Sequence, residues 1–392
     1  MKIRSIEAIL VDIPTTRVHK LSFGSITEQN YVIVRILDDD GRVGIGEAST
    51  IGGPAWAEES TETIQLMIDK YIAPHLIGKH PIDLNAHGLL MNKLVRGNYF
   101  AKAAVEMAML DLAARQLELP AYALLGGKVH DSLPLAWTLA SGNTEQDIAE
   151  GEEKIDLKLH NIFKLKIGYN EPAQDIAHVK RIAEHFAGRA RVQVDVNQAW
   201  SESIANNAIA QLQAAGTYLI EQPVAKHNVE AMARLTRRFN VAIMADESVG
   251  TLHDAFAFAQ HAAADIFALK LTKAGGPIAT MKVAAIAQAA GISCYGGCML
   301  ESSVGTAAYL HTFAAISNIT EGCELFGPKL LKDDLITEPL TFNNFSIIVN
   351  NGPGFGIDID PQKLAFYRRD KKGNSHAISR PHASELTARL RA

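Results

Sequence analysis

Charged side chains recur at the ends of short apolar runs in the middle of this sequence. In chain order they are Lys166, Asp195, Glu221, Asp246 and Lys270, spaced 24 to 29 residues apart. A charge that ends an apolar strand costs free energy unless it is paired or binds a metal. The regular spacing therefore predicts that successive structural units deliver these groups to one shared site.

The three carboxylates in this series indicate a hard divalent cation. Three carboxylate oxygens from neighbouring strands can occupy one side of an octahedron and leave positions for substrate oxygens, which suits Mg²⁺ or Mn²⁺. A single such residue is more often a helix cap or a salt-bridge partner, and the repetition on consecutive units favours metal ligation. Asp195, Glu221 and Asp246 are the expected ligands. Asn197 and Glu247 are expected to orient the ligands or the substrate.

The lysines indicate proton transfer. Lys164 and Lys166 lie two residues apart, so on a strand both point to the same side. Their repulsion, a nearby cation and partial burial all lower an ammonium pKa toward neutrality, as a lysine general base requires. Lys270 comes from a strand across the predicted barrel and faces a bound substrate from the opposite side. For Lys273, in the following loop, a surface position with a buried stem is a better interpretation than it is for Lys166.

The elements that must position these residues begin with an antiparallel pattern. Strands are predicted at 3–12 and 30–37, a hairpin turn at 38–41 and helices near 57–78 and 100–117. The first ~125 residues therefore predict an α+β domain.

From about residue 133 the pattern changes to alternation. Helical patterns of 10–15 residues separate eight strand-like runs, at 134–139, 162–167, 191–196, 218–220, 241–244, 266–271, 292–296 and 321–325. This alternation predicts a (β/α)₈ barrel, whose parallel strands would carry the charged groups to its carboxyl end. Residues 342–349 predict a further strand that returns to the N-terminal domain, because a closed barrel has no free edge.

Composition narrows the class of protein. The 392 residues include 38 Lys and Arg against 43 Asp and Glu, a net charge of −5, with 47% hydrophobic residues. The hydrophobic fraction excludes a disordered chain. The net negative charge excludes a general attraction for nucleic acid or anionic membranes, so the binding of an anionic substrate would need cationic side chains at the site. Three cysteines are too few for a disulfide framework, and no apolar run suits a signal peptide or membrane span. A soluble, cytoplasmic enzyme is expected.

Several motifs resemble the enolase superfamily, muconate-lactonizing subgroup. The lysine pair, the three carboxylates and Lys270 carry the resemblance, together with TIGG at 50–53, FKLKIG at 163–168, IMADE at 243–247, GGCMLE at 296–301 and ELFGP at 324–328. The resemblance implies a modified TIM barrel, (β/α)₇β, with an α+β capping domain. The domains it implies are a capping part at 1–130, the barrel at 131–328, a segment returning to the capping domain at 329–369 and a polar basic tail at 370–392.

The activity implied by the resemblance is metal-dependent cycloisomerisation of cis,cis-muconate to muconolactone in the catabolism of aromatic compounds through catechol and β-ketoadipate. One substrate carboxylate attacks the conjugated double bond, and Mn²⁺ or Mg²⁺ stabilises the enolate at the other. Lys166 transfers the proton at the α carbon, and Lys164 keeps Lys166 able to lose its proton. Lys270 acts electrostatically, and Glu324 matches a glutamate assigned as a proton donor in the family.

Substrate specificity is expected to depend on the capping domain. The resemblance implies substrate contacts from two capping loops and from the barrel mouth, by Ile51, Trp56, Asn197, Lys273, Phe326, His19 and Lys20. Trp56 and Ala274 stand where many relatives have Tyr and Asn, so plain and chloro-substituted muconate both remain candidate substrates. The resemblance also implies a homo-oligomer, an octamer in relatives.

Rival interpretations keep parts of the same site. A dipeptide epimerase or an o-succinylbenzoate synthase of the same subgroup would retain the metal ligands and the lysines. Outside the class, a Schiff-base lyase would use Lys166 as the nucleophile and would need no metal. A catalytically inactive barrel that serves as a binding protein is the third alternative.

Overall fold

The computed structural model describes residues 1–21 and 24–372 of the chain. The predicted polar tail lies outside these residues from position 373 onward, and the side chain of Lys20 is likewise outside what is described. Within the described part, none of the helices has the length and apolarity needed to cross a membrane.

An antiparallel sheet forms the N-terminal region. Its strands, in spatial order, are Ile3–Leu21, Gly24–Asp38 and Val43–Thr50, and the first is longer than its sequence pattern predicted. The helix Tyr99–Gln116 packs on this sheet. A Cβ atom on Gly46 would lie 2.1 Å from the carbonyl oxygen of Ala104, so glycine is what permits this close approach.

Short helices complete this capping region. A 3₁₀ turn at Gly53–Ala55 precedes the helices Thr61–Met67, Ile68–Ile72, Ala73–Leu76 and Leu84–Leu94, and a second 3₁₀ turn, Ala121–Leu125, leads to the barrel. The segment Ile68–Ile72 is one turn of π-helix, and Pro74 follows it inside the next helix. Ser60 caps the N-terminus of the first of these helices, because its side chain accepts a hydrogen bond from the amide of Thr63.

Eight parallel strands form the barrel, in sequential order. They are Ala136–Leu139, Ile162–Lys166, Arg191–Asp195, Leu219–Glu221, Ala242–Ala245, Ile266–Leu269, Ser293–Gly296 and Ile319–Cys323. A parallel bridge between Leu135 and Cys323 joins the first strand to the last. Strands buried on both faces appear in sequence as short apolar runs, which is why their positions were predictable.

All seven connections between the eight barrel strands contain helices. They are Thr144–Asp156, Pro172–Phe186, Glu202–Ala214, Val229–Arg238, Leu252–His261, the pair Leu271–Ala274 and Pro277–Ala289, and Ser303–Ala314. The eighth strand is followed only by the four-residue helix Gly327–Leu330. The structure therefore confirms the (β/α)₇β fold with an antiparallel capping domain.

The C-terminal segment differs from its prediction. The strand expected at 342–349 is a hairpin of two short strands, Phe342–Asn343 and Ser346–Ile348, because Asn344 and Phe345 take φ of 46° and 62° and reverse the chain. The second of these strands pairs with Ser132–Pro134. The helices Pro361–Tyr367 and Arg369–Lys372 follow. The exact domain boundaries stay predictions.

Candidate active site

The register of the barrel gathers the charged residues at its carboxyl end. Lys166 lies opposite Asp195, and Asp195 lies opposite Glu221 on the next strand. Asp246 and Lys270 each follow directly after the last residue of a strand. Five successive strands thus each bring one charged group to the same face, where barrel enzymes place their catalytic residues.

A cavity lies at this face, between the strand ends and the capping loops. It is lined by His19, Ile51, Trp56, Thr138, Lys166, Asp195, Asn197, Glu221, Lys270, Cys298, Leu300, Glu324 and Phe326. Four of the predicted site residues that the structure describes lie outside this lining: Lys164, Asp246, Glu247 and Lys273.

Three of the lining residues were not predicted from the sequence. Cys298 and Leu300 belong to the GGCMLE motif, and Thr138 is a polar residue near the end of an apolar strand. Both signals were present in the sequence. A strand-end rule applied to uncharged residues would have found Thr138.

Buried ion pairs hold the first two lysines. Lys164 is almost completely buried, and its Nζ pairs with both Glu221 and Glu324. The Nζ of Lys166 pairs with Asp195 and lies 3.4 Å from Oδ1 of Asn197. Lys166 is the more exposed of the two and faces the cavity, so it is the lysine that a ligand can reach.

Asp246 holds the two lysines of the sixth strand and its loop. The Nζ of Lys270 lies 2.7 Å from its Oδ2, and the Nζ of Lys273 lies 2.6 Å from its Oδ1. Lys273 also donates to the carbonyl of Ala268 at 2.9 Å and is buried. Lys273 is therefore not a surface lysine, because its ammonium group satisfies a buried carboxylate and two buried carbonyls, and its predicted contact with substrate stays a prediction.

Capping-domain residues close the cavity above Lys270. The Nζ of Lys270 lies 4.3 Å from the ring centroid of Trp56, within cation–π range. Gly297 leaves room for the lysine stem, since a Cβ there would lie 2.9 Å from Cε of Lys270. The buried ring of His19 also lines the cavity, and burial together with Arg17 lowers its pKa to about 3. The imidazole is thus neutral at physiological pH.

The electrostatics of the site are dominated by burial and by close carboxylates. Burial and the neighbouring Asp195 raise the pKa of Glu221 to about 7. Burial and Asp246 raise the pKa of Glu247 to about 8. Burial also opposes ionisation of Asp246, but Lys270 and Lys273 hold its pKa well below the usual range.

The pKa of Lys166 shifts in the direction opposite to the sequence-based expectation. Burial alone lowers it, but Asp195 and Glu221 outweigh burial and raise the pKa above that of a free lysine. The expected repulsion from Lys164 is weak because that ammonium group is paired with two carboxylates of its own. A lowered pKa would require a cation that competes for these carboxylates.

The predicted metal ligands fit a divalent cation in their chemistry. Asp195, Glu221 and Asp246 are buried on adjacent units, and the neighbouring Glu247 has a buried Oε2 that accepts no hydrogen bond. Burial is the main cause of the raised pKa values of Glu221 and Glu247, and repulsion from the neighbouring carboxylates Asp195 and Asp246 adds to it; a bound cation would relieve this repulsion.

Each of the three predicted ligands is paired with a lysine. Among residues 1–21 and 24–372, the set of three acidic ligand atoms within 4.8 Å of one another is Asp38, Asp39 and Asp40 in the first hairpin turn. The oxygens of Asp195, Glu221 and Asp246 do not form such a set, and each of these carboxylates is instead paired with an ammonium group, that of Lys166, Lys164 and Lys270 in turn.

Comparison with known proteins covers nearly the whole chain. Residues 5–126 match the family model described as mandelate racemase / muconate lactonizing enzyme, N-terminal domain, and residues 146–363 match enolase C-terminal domain-like. The chain is 48% identical over 369 residues to a chloromuconate cycloisomerase from Pseudomonas putida, covering 94% of this chain and 100% of that protein. It is 47% identical to muconate cycloisomerase 1 from Acinetobacter baylyi, covering 93% and 99%.

Solved structures give the same result. The muconate lactonizing enzyme from Pseudomonas fluorescens complexed with muconolactone superposes with a TM-score of 0.92 at 47% identity, covering 94% of this chain and 99% of that one. The resemblance predicted from the motifs is confirmed. The chain belongs to the mandelate racemase / muconate lactonizing enzyme family of the enolase superfamily.

Proposed function

We propose that this chain is an isomerase of aromatic catabolism, a cycloisomerase that interconverts cis,cis-muconate and muconolactone. The observation that carries the proposal is one cavity with ammonium groups from two different strands, Lys166 and Lys270, beside a cluster of buried carboxylates. A dicarboxylate that enters such a cavity meets positive charge on both sides. The relatives named above at 47–48% identity carry the names of this reaction.

Lys166 is the proposed proton-transfer group. Its ammonium is the one on the second strand that lines the cavity, and Asp195 and Asn197 fix its position. Ring closure adds one substrate carboxylate to the conjugated double bond, and Lys166 then delivers a proton to the carbon next to the other carboxylate. In the reverse direction, Lys166 removes that proton.

Muconate cycloisomerases of this superfamily depend on a divalent metal, and we propose Asp195, Glu221 and Asp246 as its ligands. When bound, the cation supplies the Lewis acidity that stabilises negative charge on the substrate carboxylate. Mn²⁺ is the proposed metal, with Mg²⁺ as the alternative, and activity of the stripped protein with each ion decides between them.

The remaining charged residues support these steps. Lys270 adds positive charge on the opposite side of the cavity, where Trp56 shields it from water. Lys164 joins Glu221 to Glu324 and so connects a proposed metal ligand with the proposed proton donor of the last strand. Removing Lys164 would leave two buried carboxylates unpaired.

The choice between muconate and chloromuconate is proposed to depend on the apolar side chains that line the cavity. Ile51, Trp56 and Phe326 line the cavity, whereas Ala274 does not. Of the two departures from the family pattern, Trp56 is therefore the one that contacts a ring or chlorine substituent. Comparing kcat/KM for muconate and a chloromuconate in Trp56→Tyr tests this assignment.

The central experiment follows the loss of muconate absorbance near neutral pH. The enzyme with Mn²⁺ should turn muconate over, a chelator should stop it, and Lys166→Ala should lower kcat by about 10²–10⁴. Full activity of Lys166→Ala would falsify the proton-transfer role. Activity that survives the chelator together with trapping by borohydride would establish the Schiff-base lyase instead.

The same assay separates the rivals within the family. Turnover of neither muconate nor chloromuconate, with turnover of dipeptides or of the o-succinylbenzoate precursor, would move the function to that branch. We further propose a homo-oligomer in the cytoplasm. Sedimentation velocity of the purified chain tests the assembly, and an octamer is the expected species.

A further inference from the structure

The loop after the seventh barrel strand, residues 297–302, is called the seventh loop here. It contributes Cys298 and Leu300 to the cavity lining, and neither has a role in the proposed chemistry. Leu300 has a φ of 57°, in the left-handed region that a bulky residue rarely adopts. Such a conformation persists only where surrounding contacts hold it.

Two side chains from the capping sheet hold the loop backbone at this point. The Nε2 of Gln29 donates to the carbonyl of Met299 at 2.8 Å, and the hydroxyl of Tyr31 donates to the carbonyl of Leu300 at 2.9 Å. Both side chains are essentially fully buried, and their spacing of two puts them on one side of a strand. Burial raises the pKa of Tyr31, so its hydroxyl keeps the proton that it donates.

A third capping residue holds the end of the loop. Glu47 accepts hydrogen bonds from the amide of Ser302 at 3.0 Å, from the Ser302 hydroxyl and from the amide of Gly305 at 3.2 Å. A Cβ on Gly305 would lie 2.6 Å from Oε1 of Glu47, so glycine allows this contact. The capping domain thus supplies partners at three points along one short barrel loop.

We infer that the capping domain sets the shape of the substrate cavity by holding the seventh loop in a strained conformation, with Tyr31 as the positioning residue. Loss of the Tyr31 hydroxyl leaves the buried carbonyl of Leu300 unpaired and removes the contact that offsets the left-handed φ. Residue 300 then relaxes and displaces Cys298, whose Sγ lies 3.9 Å from Oε2 of Glu324. The identity of the substrate in this inference rests on the proposed function.

The test compares Tyr31→Phe with the metal-loaded parent enzyme. We expect KM for muconate to rise about tenfold with kcat within about twofold, because a buried acceptor loses its partner while Lys166 is untouched. Tyr122→Phe is the matched control. It also loses a tyrosine hydroxyl bond, at 2.9 Å to Asn351, but that partner lies outside the seventh loop, whereas the partner of Tyr31 is Leu300 within it.

A second measurement is independent of any substrate. Hydrogen exchange of a peptide that covers the seventh loop should be faster in Tyr31→Phe and unchanged in Tyr122→Phe. In a Leu300→Asn background, where residue 300 tolerates a left-handed φ, the Tyr31→Phe change should raise KM less than in the parent.

The outcomes separate this inference from the proposed function. Unchanged exchange in Tyr31→Phe overturns the inference, and so does faster exchange with an unchanged KM. An equal effect of Tyr31→Phe in the Leu300→Asn background also overturns it, since Tyr31 would then not act through residue 300. If loop exchange is faster in Tyr31→Phe than in the parent, but the parent turns over no muconate, the hold on the loop is supported and the proposed function is refuted.

Discussion

At the scale of single residues, the site is a set of buried carboxylates that compete for positive charge. Lys164, Lys166 and Lys270 each pair with one of the proposed ligands, and Glu247 keeps a buried oxygen without a hydrogen bond. Removing one member of such a set exposes the charge of the others to a low-dielectric interior. A divalent cation is the ligand whose binding this arrangement should favour most.

We predict that metal binding stabilises the fold through these residues. Mn²⁺ at a hundredfold excess over its Kd should contribute about 2.7 kcal/mol and raise the Tm by several degrees. Asp195→Asn should abolish the rise. Asp40→Asn, in the exposed acidic turn at 38–40, is the matched control and should keep it. Loss of the rise in the control variant alone would place the cation in that turn, and differential scanning calorimetry makes the comparison.

At the scale of elements, capping-domain carboxylates bind the starts of barrel helices. Glu106, on the helix Tyr99–Gln116, accepts a hydrogen bond from the amide of Ile278 at 2.7 Å, in the first turn of Pro277–Ala289. Gly276 permits the approach, because a Cβ there would lie 2.4 Å from Oε1 of Glu106. A carboxylate at a helix N-terminus interacts favourably with the helix dipole. This contact therefore links the capping domain to the barrel close to the helix Leu271–Ala274, which contains Lys273.

The same contact predicts a dependence of stability on pH. Burial raises the pKa of Glu106 from its ordinary value of 4.5 to about 7 in the folded state. The folded state thus binds more protons between these values, so its stability is lost as pH rises from 4.5 through 7. Glu106→Gln should remove on the order of 2 kcal/mol of this loss.

Urea denaturation at pH 5 and pH 8 measures the effect. The difference in unfolding free energy between the two pH values should be smaller in Glu106→Gln than in the parent. Glu145→Gln, at a solvent-exposed carboxylate, is the control and should leave that difference unchanged. An identical difference in parent and Glu106→Gln would contradict the assignment.

At the scale of the whole molecule, a residue near the C-terminal end of the described chain binds the first strand of the N-terminal sheet. Arg369 donates to both carboxylate oxygens of Asp12, at 2.8 and 2.6 Å, and to the hydroxyl of Thr61 at 3.1 Å. Asp12 is almost fully buried on the first strand, where Asn30 is its other partner. A bidentate pair of this kind fixes orientation as well as position.

Arg369→Ala should therefore destabilise the protein by about 3 kcal/mol, because it leaves the Asp12 carboxylate buried without its cation. Arg35→Ala removes an ion pair with Glu7 in which both side chains are exposed, and it should cost less than about 1 kcal/mol. Chemical denaturation of both variants at neutral pH gives the comparison. Equal costs would show that the buried pair contributes no more than a surface pair.

Much of the fold and the position of the site could be predicted from the sequence alone. Strands buried on both faces need short apolar runs, and the alternation of eight such runs with helical patterns identified the barrel, while charges at the ends of five successive runs identified its carboxyl end. The hairpin at Phe342–Asn343 and Ser346–Ile348 escaped prediction because Asn344 and Phe345 adopt positive φ without a glycine. Asn344 tolerates a positive φ and suits a turn, but a bulky residue such as Phe345 rarely adopts one, so the sequence favoured a continuous strand there.

Only the tertiary structure decided which partner each charge takes. Lys273 is buried against Asp246, and Lys166 has a raised pKa, because neighbours from other strands outweigh local pattern. The hold of Tyr31 on Leu300 joins residues 269 positions apart. Sequence periodicity records which side of an element is buried, whereas the pairing of charges and the strain of a loop depend on distances that arise only when the elements pack.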